Sequence, residues 1–424
     1  MNILVVGAGG REHAIIKKIK ENPSVSKIYA LPGNGGIARD AECYPIKATD
    51  IDGIVEFVKA HTVDFAVVAP DDPLVLGCVN RLEELGIPCF GPRAEAAIIE
   101  GSKVFSKNLM KKYSIPTAKS EIFTDYEKAL AYIESAPLPT VIKADGLALG
   151  KGVVIAYTLK EAKDALHDMM CDKVFGESGS SVLVEEFLEG PEISVLSFTD
   201  GETVVPMVSS MDHKRALDGD MGLNTGGMGT VAPNPYYTEE VARRCLEEIF
   251  IPTVRAMNSE GRTFKGCLYF GLMLTKNGPM VIEYNCRFGD PETQVVLPLL
   301  ETDLLEIMMA VSKGTLKDVP VRFSSSHACC VVMASDGYPK KYQSGFEITL
   351  PEEGPSEYIY IAGAKLEEGV LKTAGGRVLG AVKVADSLSD AVKGAYSLSD
   401  KIHFENAYRR SDIGKRALEC ENNG

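Results

Sequence analysis

Val281-Ile282-Glu283-Tyr284-Asn285-Cys286-Arg287-Phe288-Gly289-Asp290-Pro291-Glu292-Thr293-Gln294, residues 281–294, is the stretch on which the reading of this chain turns. It opens as a strand, with Val281 and Tyr284 apolar or aromatic enough to face a core. Side chains two apart on a strand share a face, so Glu283 and Asn285 are expected to point the same way. A carboxylate beside an amide oxygen is a pair of hard oxygen donors, which Mg²⁺ accepts while keeping water and phosphate oxygens. Arg287 follows, a fork-shaped cation suited to phosphate or carboxylate. Gly289 and Pro291 then turn the chain. A strand ending in a polar surface turn would account for one acid. It accounts poorly for Glu283, Asn285, Arg287, Asp290 and Glu292 lying so close together.

Working outward, 424 residues exceed one ordinary core, and two to four domains are expected. A hydrophobic fraction of 45% and a charged fraction of 25% suit a globular protein. The net charge of −14 argues against a non-specific nucleic-acid or anionic-membrane partner. Small phosphorylated molecules stay open, because basic residues can cluster locally. Met1 leads directly into the strand at 2–6, so no signal peptide is expected, and no apolar run approaches the ~20 residues that span a bilayer. The ten cysteines are scattered without a CxxC pair, which reads as reduced thiols in a cytoplasmic protein. The six histidines lack metal-ligand spacing, and a zinc site is not expected.

The first hundred residues alternate strand and helix, which predicts a doubly wound parallel sheet. A second region starts near 101. It is read as a basic helix at 102–113, strands at 140–143, 152–156 and 182–186, and a helix at 159–170. Longer strands follow at 194–199 and 204–209, then a Gly-rich loop at 218–229. A helix at 239–259, strands at 266–274 and 280–285, and a helix at 299–313 complete it. A third region begins near Ser324 with a strand at 327–334, continues in short strands, and closes with a helix at 389–401.

Gly7-Ala8-Gly9-Gly10-Arg11-Glu12 joins the first strand to its helix, where free amides could meet an anion. A dinucleotide fingerprint would need glycine where Glu12 stands, and an acid after the second strand. That strand instead runs into Leu31-Pro32-Gly33-Asn34-Gly35-Gly36. A single phosphate is favoured over a nicotinamide cofactor. Lys103 opens a helix, Lys143 ends a strand, and Lys151 sits between Gly150 and Gly152. Together they suggest a nucleotide-phosphate clamp, though not a Walker loop. Glu185 to Glu192 could hold an adenine edge and ribose hydroxyls, or equally form an acidic surface turn. Asp212-His213-Lys214-Arg215 could be an exposed charged loop, and His213 need not be catalytic.

Taken together, VVGAGGREHA at the start, LPGNGG at 31–36, IKADGLALGKGVVIA at 142–156 and VEEFLEGPEISV at 184–195 carry a resemblance, with DHKR at 212–215, NTGGMG at 224–229 and IEYNCRFGDPETQ at 282–294. The chain resembles the ATP-grasp superfamily and, within it, the glycinamide ribonucleotide synthetase (phosphoribosylamine–glycine ligase) family, over essentially its whole length. The resemblance implies an N-terminal α/β substrate-binding domain at 1–100, an ATP-grasp domain at 101–323 with a mobile lid at about 118–188, and a small β-rich domain at 324–424. It implies Lys103, Lys143 and Lys151 on ATP phosphates, Glu185 and Leu188 around adenine, and Glu192 on ribose. Glu283 and Asn285 would ligate Mg²⁺ or Mn²⁺. Gly9, Gly10, Asn34, Gly35 and Gly36 would take phosphoribosylamine, Asp290, Pro291 and Glu292 would also bind substrate, and Asp212, Lys214 and Arg287 would line the reaction centre, with Lys143 counted among the catalytic residues.

Two departures stand out. Ala69-Pro70-Asp71-Asp72 replaces the family's Gly-Pro-Glu, and the strand at 266–274 offers no further carboxylate. The implied reaction consumes ATP, glycine and 5-phosphoribosylamine through glycyl phosphate, giving glycinamide ribonucleotide in purine biosynthesis. The absence of appended modules implies one function, carried out by a monomer without nucleic-acid or membrane partners. Transient contact with the preceding amidotransferase is left open. The competing readings are another ATP-grasp ligase or carboxylase with a different acceptor, a nucleotide-binding regulator without catalysis, and a nicotinamide oxidoreductase.

Overall fold

The computed structural model describes residues 1–147, 152–174 and 176–423. Strand β1 (Asn2–Gly7) buries Ile3, Leu4, Val5 and Val6 completely, as a strand covered on both faces must. It pairs in parallel with β2 (Lys27–Pro32) and β4 (Phe65–Val68). Short β3 (Glu42–Cys43) and β5 (Cys89–Phe90) complete a parallel sheet of order β3-β2-β1-β4-β5. This is the doubly wound sheet expected from the alternation of elements. The order reverses between β1 and β4, so a crevice opens past their carboxyl ends, where Gly9 and Asp71 lie.

A four-stranded antiparallel sheet follows, of order β6-β9-β7-β8: β6 (Ser120–Phe123), β7 (Thr140–Ala144), β8 (Val153–Ala156) and β9 (Val182–Glu186). Helices Tyr126–Ile133 and Leu159–Met170 bury Ala129, Ile133, Ala162 and Leu166 against its Ile142 and Val184. The chain enters and leaves this small layer at one point. There Lys119 N donates to Glu186 Oε1 at 2.9 Å and Glu186 N donates to Lys119 O at 3.0 Å.

The next layer joins β10 (Glu192–Thr199), β11 (Val204–Pro206), β16 (Gly266–Thr275) and β17 (Gly278–Asn285) in the order β11-β10-β16-β17. The strand expected to reach 209 stops at Pro206, which has no N–H to give a ladder. A further sheet runs β12 (Met211–Asp212), β15 (Gly229–Ala232), β18 (His327–Ser335), β22 (Arg377–Ala385), β19 (Glu357–Ile361), with β23 (Ala407–Tyr408) on β18, while β20 (Ala364–Glu367) and β21 (Val370–Thr373) pair as a separate hairpin. Strands from the middle of the chain therefore extend a sheet built mainly from its last hundred residues.

Other differences from the sequence reading have local causes. The expected loop at 218–229 is in part a hairpin, β13 (Arg215–Leu217) with β14 (Met221–Asn224), turned at Gly219 with φ 68°. The helix expected at 239–259 carries a π-helical stretch, Cys245–Phe250, just before Pro252, which removes an N–H from the ladder. The helix expected from 299 starts at Leu304, where Asp303 caps it by accepting from Glu306 N. Among the described residues no helix is long and apolar enough to cross a membrane.

Candidate active site

β17 carries the stretch that opened the sequence reading, and its register explains how it presents its polar groups. Glu283 lies opposite Gly271 and Asn285 opposite Tyr269, while Leu272 faces Val281, so Ile282 is an extra residue in the strand. Bulges of this kind re-aim side chains beside functional sites. Val281 and Tyr284 are buried, whereas Glu283 is 43% exposed. Glycine opposite Glu283 is a spatial need, since a Cβ at Gly271 would lie 2.7 Å from Glu283 Cγ. Glu283 and Asn285 thus share a face, as expected.

Cations surround this strand end. Lys214 Nζ lies 3.3 Å from Glu283 Oε1 and 3.2 Å from Glu192 Oε2. Lys214, with Lys143 behind it, holds the Glu283 carboxyl below its ordinary range despite partial burial. Burial works against the Lys214 ammonium, but Glu192 and Glu283 outweigh it and hold its pKa well above the usual lysine value. Arg287 NH2 pairs with Glu100 Oε1 at 3.0 Å and donates to Asn285 Oδ1 at 3.3 Å. The other Glu100 oxygen accepts Cys286 N at 2.7 Å. Burial raises the Glu100 pKa and opposes the charge on Arg287, yet Glu100 and Asp71 still keep that guanidinium firmly protonated.

Two of the three lysines expected to form a clamp lie on the facing elements. Ser102 Oγ caps helix Lys103–Lys112 by accepting Phe105 N at 3.0 Å, which brings Lys103 Nζ to Gly146 O at 2.6 Å. Burial lowers the Lys103 pKa, helped by the nearby charge of Lys143. Lys143, on β7, donates to the Ile282 carbonyl at 2.9 Å and lies 3.0 Å from Glu185 Oε2. The bulge on β17 therefore supplies an acceptor for a lysine on the small layer. Lys151 lies outside the described residues. Leu188 is half-buried just beyond β9, and Glu192 opens β10.

Asp212 and Glu292 sit behind Lys214. Burial first, then Glu292, pushes the Asp212 carboxyl well above its ordinary pKa, and burial likewise raises Glu292. Asp212 Oδ1, Gln294 Oε1 and Arg287 Nε are buried without a hydrogen-bond partner among the described residues. Polar atoms left this way are costly unless a ligand satisfies them. Gly227 closes the wall, for a Cβ there would lie 2.6 Å from Asp212 Oδ1 and 2.4 Å from Pro291 Cδ. Asp290 borders Gly9, and its Oδ1 accepts Gln294 Nε2 at 2.8 Å.

The glycine loops differ from expectation in one respect: several of their amides are already engaged within the chain. Glu12 folds back to accept Gly9 N, and Asp290 accepts Arg11 N at 3.4 Å. Asn34 Oδ1 accepts Gly36 N and Ile37 N, its Nδ2 donates to Ala8 O and Ile361 O, and Gly35 N donates to Ala364 O. The 34–36 loop ties the first sheet to β19. Asp71, at the crevice, is buried enough to resist ionisation, but Arg287 and Arg11 still hold its carboxyl below the ordinary value.

Three residues escaped the sequence reading. Lys107 is buried against Glu185, and its signal was its place one helical turn after Lys103. Glu100, the partner of Arg287, carried no pattern. Neither did Arg377, which donates to Gly226 O and Asp290 O at 2.8 Å and so pins two loops that converge from distant sequence.

His213 is structural, not exposed. Its Nδ1–H donates to Gly229 O at 3.1 Å and its Nε2 accepts Gly414 N at 3.2 Å. Burial, with Arg410 nearby, pushes its pKa to about 4 from 6.5. The unfolded chain therefore binds a proton below pH 6.5 that the folded chain refuses until about pH 4, and stability falls as the solution is acidified through that window. The loss is of order 3 kcal/mol. Urea unfolding at pH 7 and pH 4.5 should show this slope in the native protein and a smaller one in His213→Gln; equal slopes would contradict it.

A surface depression of about 420 Å³ lined by Asp50, Asp52, Asn80 and Arg81 contains none of these groups.

Three phosphoribosylglycinamide synthetase family models match in series: the N domain over residues 1–100, the ATP-grasp (A) domain over 101–293 and the C domain over 328–416. A phosphoribosylamine–glycine ligase of Caldanaerobacter subterraneus subsp. tengcongensis is 48% identical over 413 residues, covering 97% of this chain and 99% of that protein. The crystal structure of phosphoribosylamine–glycine ligase from Thermotoga maritima matches with a TM-score of 0.87 at 35% identity, over 97% of this chain and 100% of that one. The biotin carboxylase domain of Hydrogenobacter thermophilus 2-oxoglutarate carboxylase matches with a TM-score of 0.75 at 17% identity, over 96% and 91% of the two chains, and shares the fold alone.

Proposed function

Because this chain belongs to the phosphoribosylglycinamide synthetase family, we infer that it is an ATP-dependent ligase that joins glycine to 5-phosphoribosylamine. The products are glycinamide ribonucleotide, ADP and phosphate. The observation that carries this reading beyond family membership is the convergence of Lys103, Lys143, Lys214 and Arg287 on Glu283 and Asn285. A triphosphate needs many positive charges and few covalent helpers, which matches a site without a Ser/His/Asp or Cys/His arrangement.

In the finer mechanism, glycine's carboxylate attacks the γ-phosphoryl group to give glycyl phosphate. The amine of phosphoribosylamine then attacks the acyl carbon and expels phosphate. Lys103, Lys143 and Lys151 hold the phosphates, Glu185 and Leu188 flank the adenine, and Glu192 takes the ribose. Arg287 and Lys214 face the charge that develops during transfer. The carboxylate of Glu283 and the amide oxygen of Asn285 are hard oxygen donors that suit Mg²⁺ or Mn²⁺, which when bound would neutralise phosphate oxygens. Asp212, whose buried Oδ1 has no hydrogen-bond partner among the described residues, is placed to meet the attacking amine. Glu292, Asp290 and Pro291 complete this wall. Gly9, Gly10, Gly35 and Gly36, beside Asn34, serve the phosphoribosylamine subsite mainly by leaving room, since several of their amides are spoken for.

The division into domains at 1–100, 101–323 and 324–424, with a lid over about 118–188, belongs to the same proposal. So do action as a monomer, any brief contact with the enzyme supplying the amine, and a cytoplasmic location. Ten free cysteines, most of them buried, support the last.

An ADP-release assay that omits each substrate in turn tests the whole. Glycine and phosphoribosylamine should both be required for full turnover. Release driven by bicarbonate in place of glycine would overturn the assignment in favour of a carboxylase.

A further inference from the structure

Glu185 is a buried carboxylate held between two lysines. Its side chain is 4% exposed, Lys107 is 6% exposed and Lys143 is 11% exposed. Lys107 Nζ lies 3.2 Å from Glu185 Oε1, donates to Thr117 Oγ1 at 2.7 Å and donates to Ala118 O at 3.2 Å. Those contacts use every donor of an ammonium group. Thr117 Oγ1 donates onward to Val281 O at 2.7 Å. Lys107 thus binds together the entry into the small sheet at 117–118, its exit at Glu185, and β17. Lys143 approaches the opposite oxygen, Glu185 Oε2, and among the described residues makes one other hydrogen bond, to Ile282 O.

Charge decides which lysine stays. A buried carboxylate stripped of its cation is strongly destabilising, so Glu185 must keep one partner at all times. Lys107, with its donors used and its side chain enclosed, cannot turn elsewhere. Lys143, with two partners among the described residues, has a donor to spare. Two ammonium groups on one carboxylate also leave a surplus positive charge, which suits an arriving phosphate.

We propose that Lys107 is a positioning residue of the nucleotide site, pairing with Glu185 from behind so that the Lys143 ammonium is free for the nucleotide phosphates. This deepens, and rests on, the reading of this cleft as the ATP site. Burial lowers the Lys107 pKa, and the repulsion of Lys143 adds to it, as expected for two ammonium groups crowded on a single acid. Lys107 touches no substrate; it acts through Glu185.

The test is a double-mutant cycle in the full chain, with Lys107→Met, Glu185→Gln and the pair, read by steady-state kinetics for all three substrates. Lys107→Met should raise KM for ATP about tenfold or more, with KM for glycine and phosphoribosylamine and kcat at saturating ATP within about threefold. Lys107→Arg should recover part of the loss. In the Glu185→Gln background, Lys107→Met should move KM for ATP by less than about threefold, because the carboxylate it serves is gone. If Lys107→Met alone does not fold, Glu185→Gln against the double variant still gives that comparison, and a larger difference overturns the proposal. Equal rises in all three KM values, or additive effects, also overturn it. A Lys143→Ala variant with unchanged KM for ATP would instead overturn the reading of the cleft as the ATP site, and the role of Lys107 with it.

Discussion

Replacing Glu283 with alanine is expected to lower ADP formation by more than about 10³-fold while leaving the fold intact. The side chain is 43% exposed and its direct partner is Lys214, which keeps Glu192 after the substitution. Exposed pairs of this kind contribute at most about 1 kcal/mol to stability. The charge Glu283 places at the strand end, by contrast, is in the proposed reading the carboxylate donor for the divalent cation, and Asn285 offers only a neutral oxygen. Unfolding midpoints should therefore match within about 1 kcal/mol while turnover collapses. Near-normal turnover would remove the strand end from the chemistry altogether. Retained nucleotide binding with no turnover would refine the reading: the cations of the cleft would hold ATP while the transfer failed.

Arg287→Met should have the largest effect on stability and abolish activity as well. The Glu100 side chain is 8% exposed, and Arg287 lies 3.0 Å from it. With the guanidinium gone, Glu100 keeps the backbone N–H of Cys286 and the weak thiol donor of the same residue, neither of them a cation, so its buried charge must be either uncompensated or neutralised by a proton. A loss of about 3–5 kcal/mol is expected from removing one partner of such a pair. The direction with pH follows from Glu100. Its folded pKa is already raised by burial and should rise further without Arg287, so the variant should gain stability as pH falls toward the carboxylate range. Glu100→Gln combined with Arg287→Met should recover much of the stability and none of the activity. Denaturant unfolding at two pH values decides this, and a single variant as stable as the native chain would show that the pair does not hold the strand end in place.

Both expectations depend on residues whose legibility differed. Glu283, Asn285 and Arg287 could be read because a strand's period of two and the spacing of donors are local properties. The same locality made Lys103 and Lys143 readable as helix start and strand end. Lys107 had a usable signal in its helical spacing from Lys103, but a lysine on a basic helix ordinarily points to water, and only Glu185 from β9 makes it a buried partner. The glycine loop after β1 shows the opposite failure. Free amides were a sound inference from a helix N-terminus, yet Glu12 folds back on Gly9 and Asp290 reaches Arg11 from far along the chain.

The sequence by itself determined the alternation that makes a parallel sheet, the strand that bears the acids, and the family, because each is written in neighbouring residues whose spacing alone sets their geometry. Tertiary structure alone decided which charges meet. Glu100 with Arg287, Arg377 with the 226 and 290 loops, and His213 with Gly414 are pairs separated by dozens to hundreds of residues, brought together by sheet order and packing. Their ionisation depends on burial, and burial belongs to the assembled layers, not to any stretch of chain.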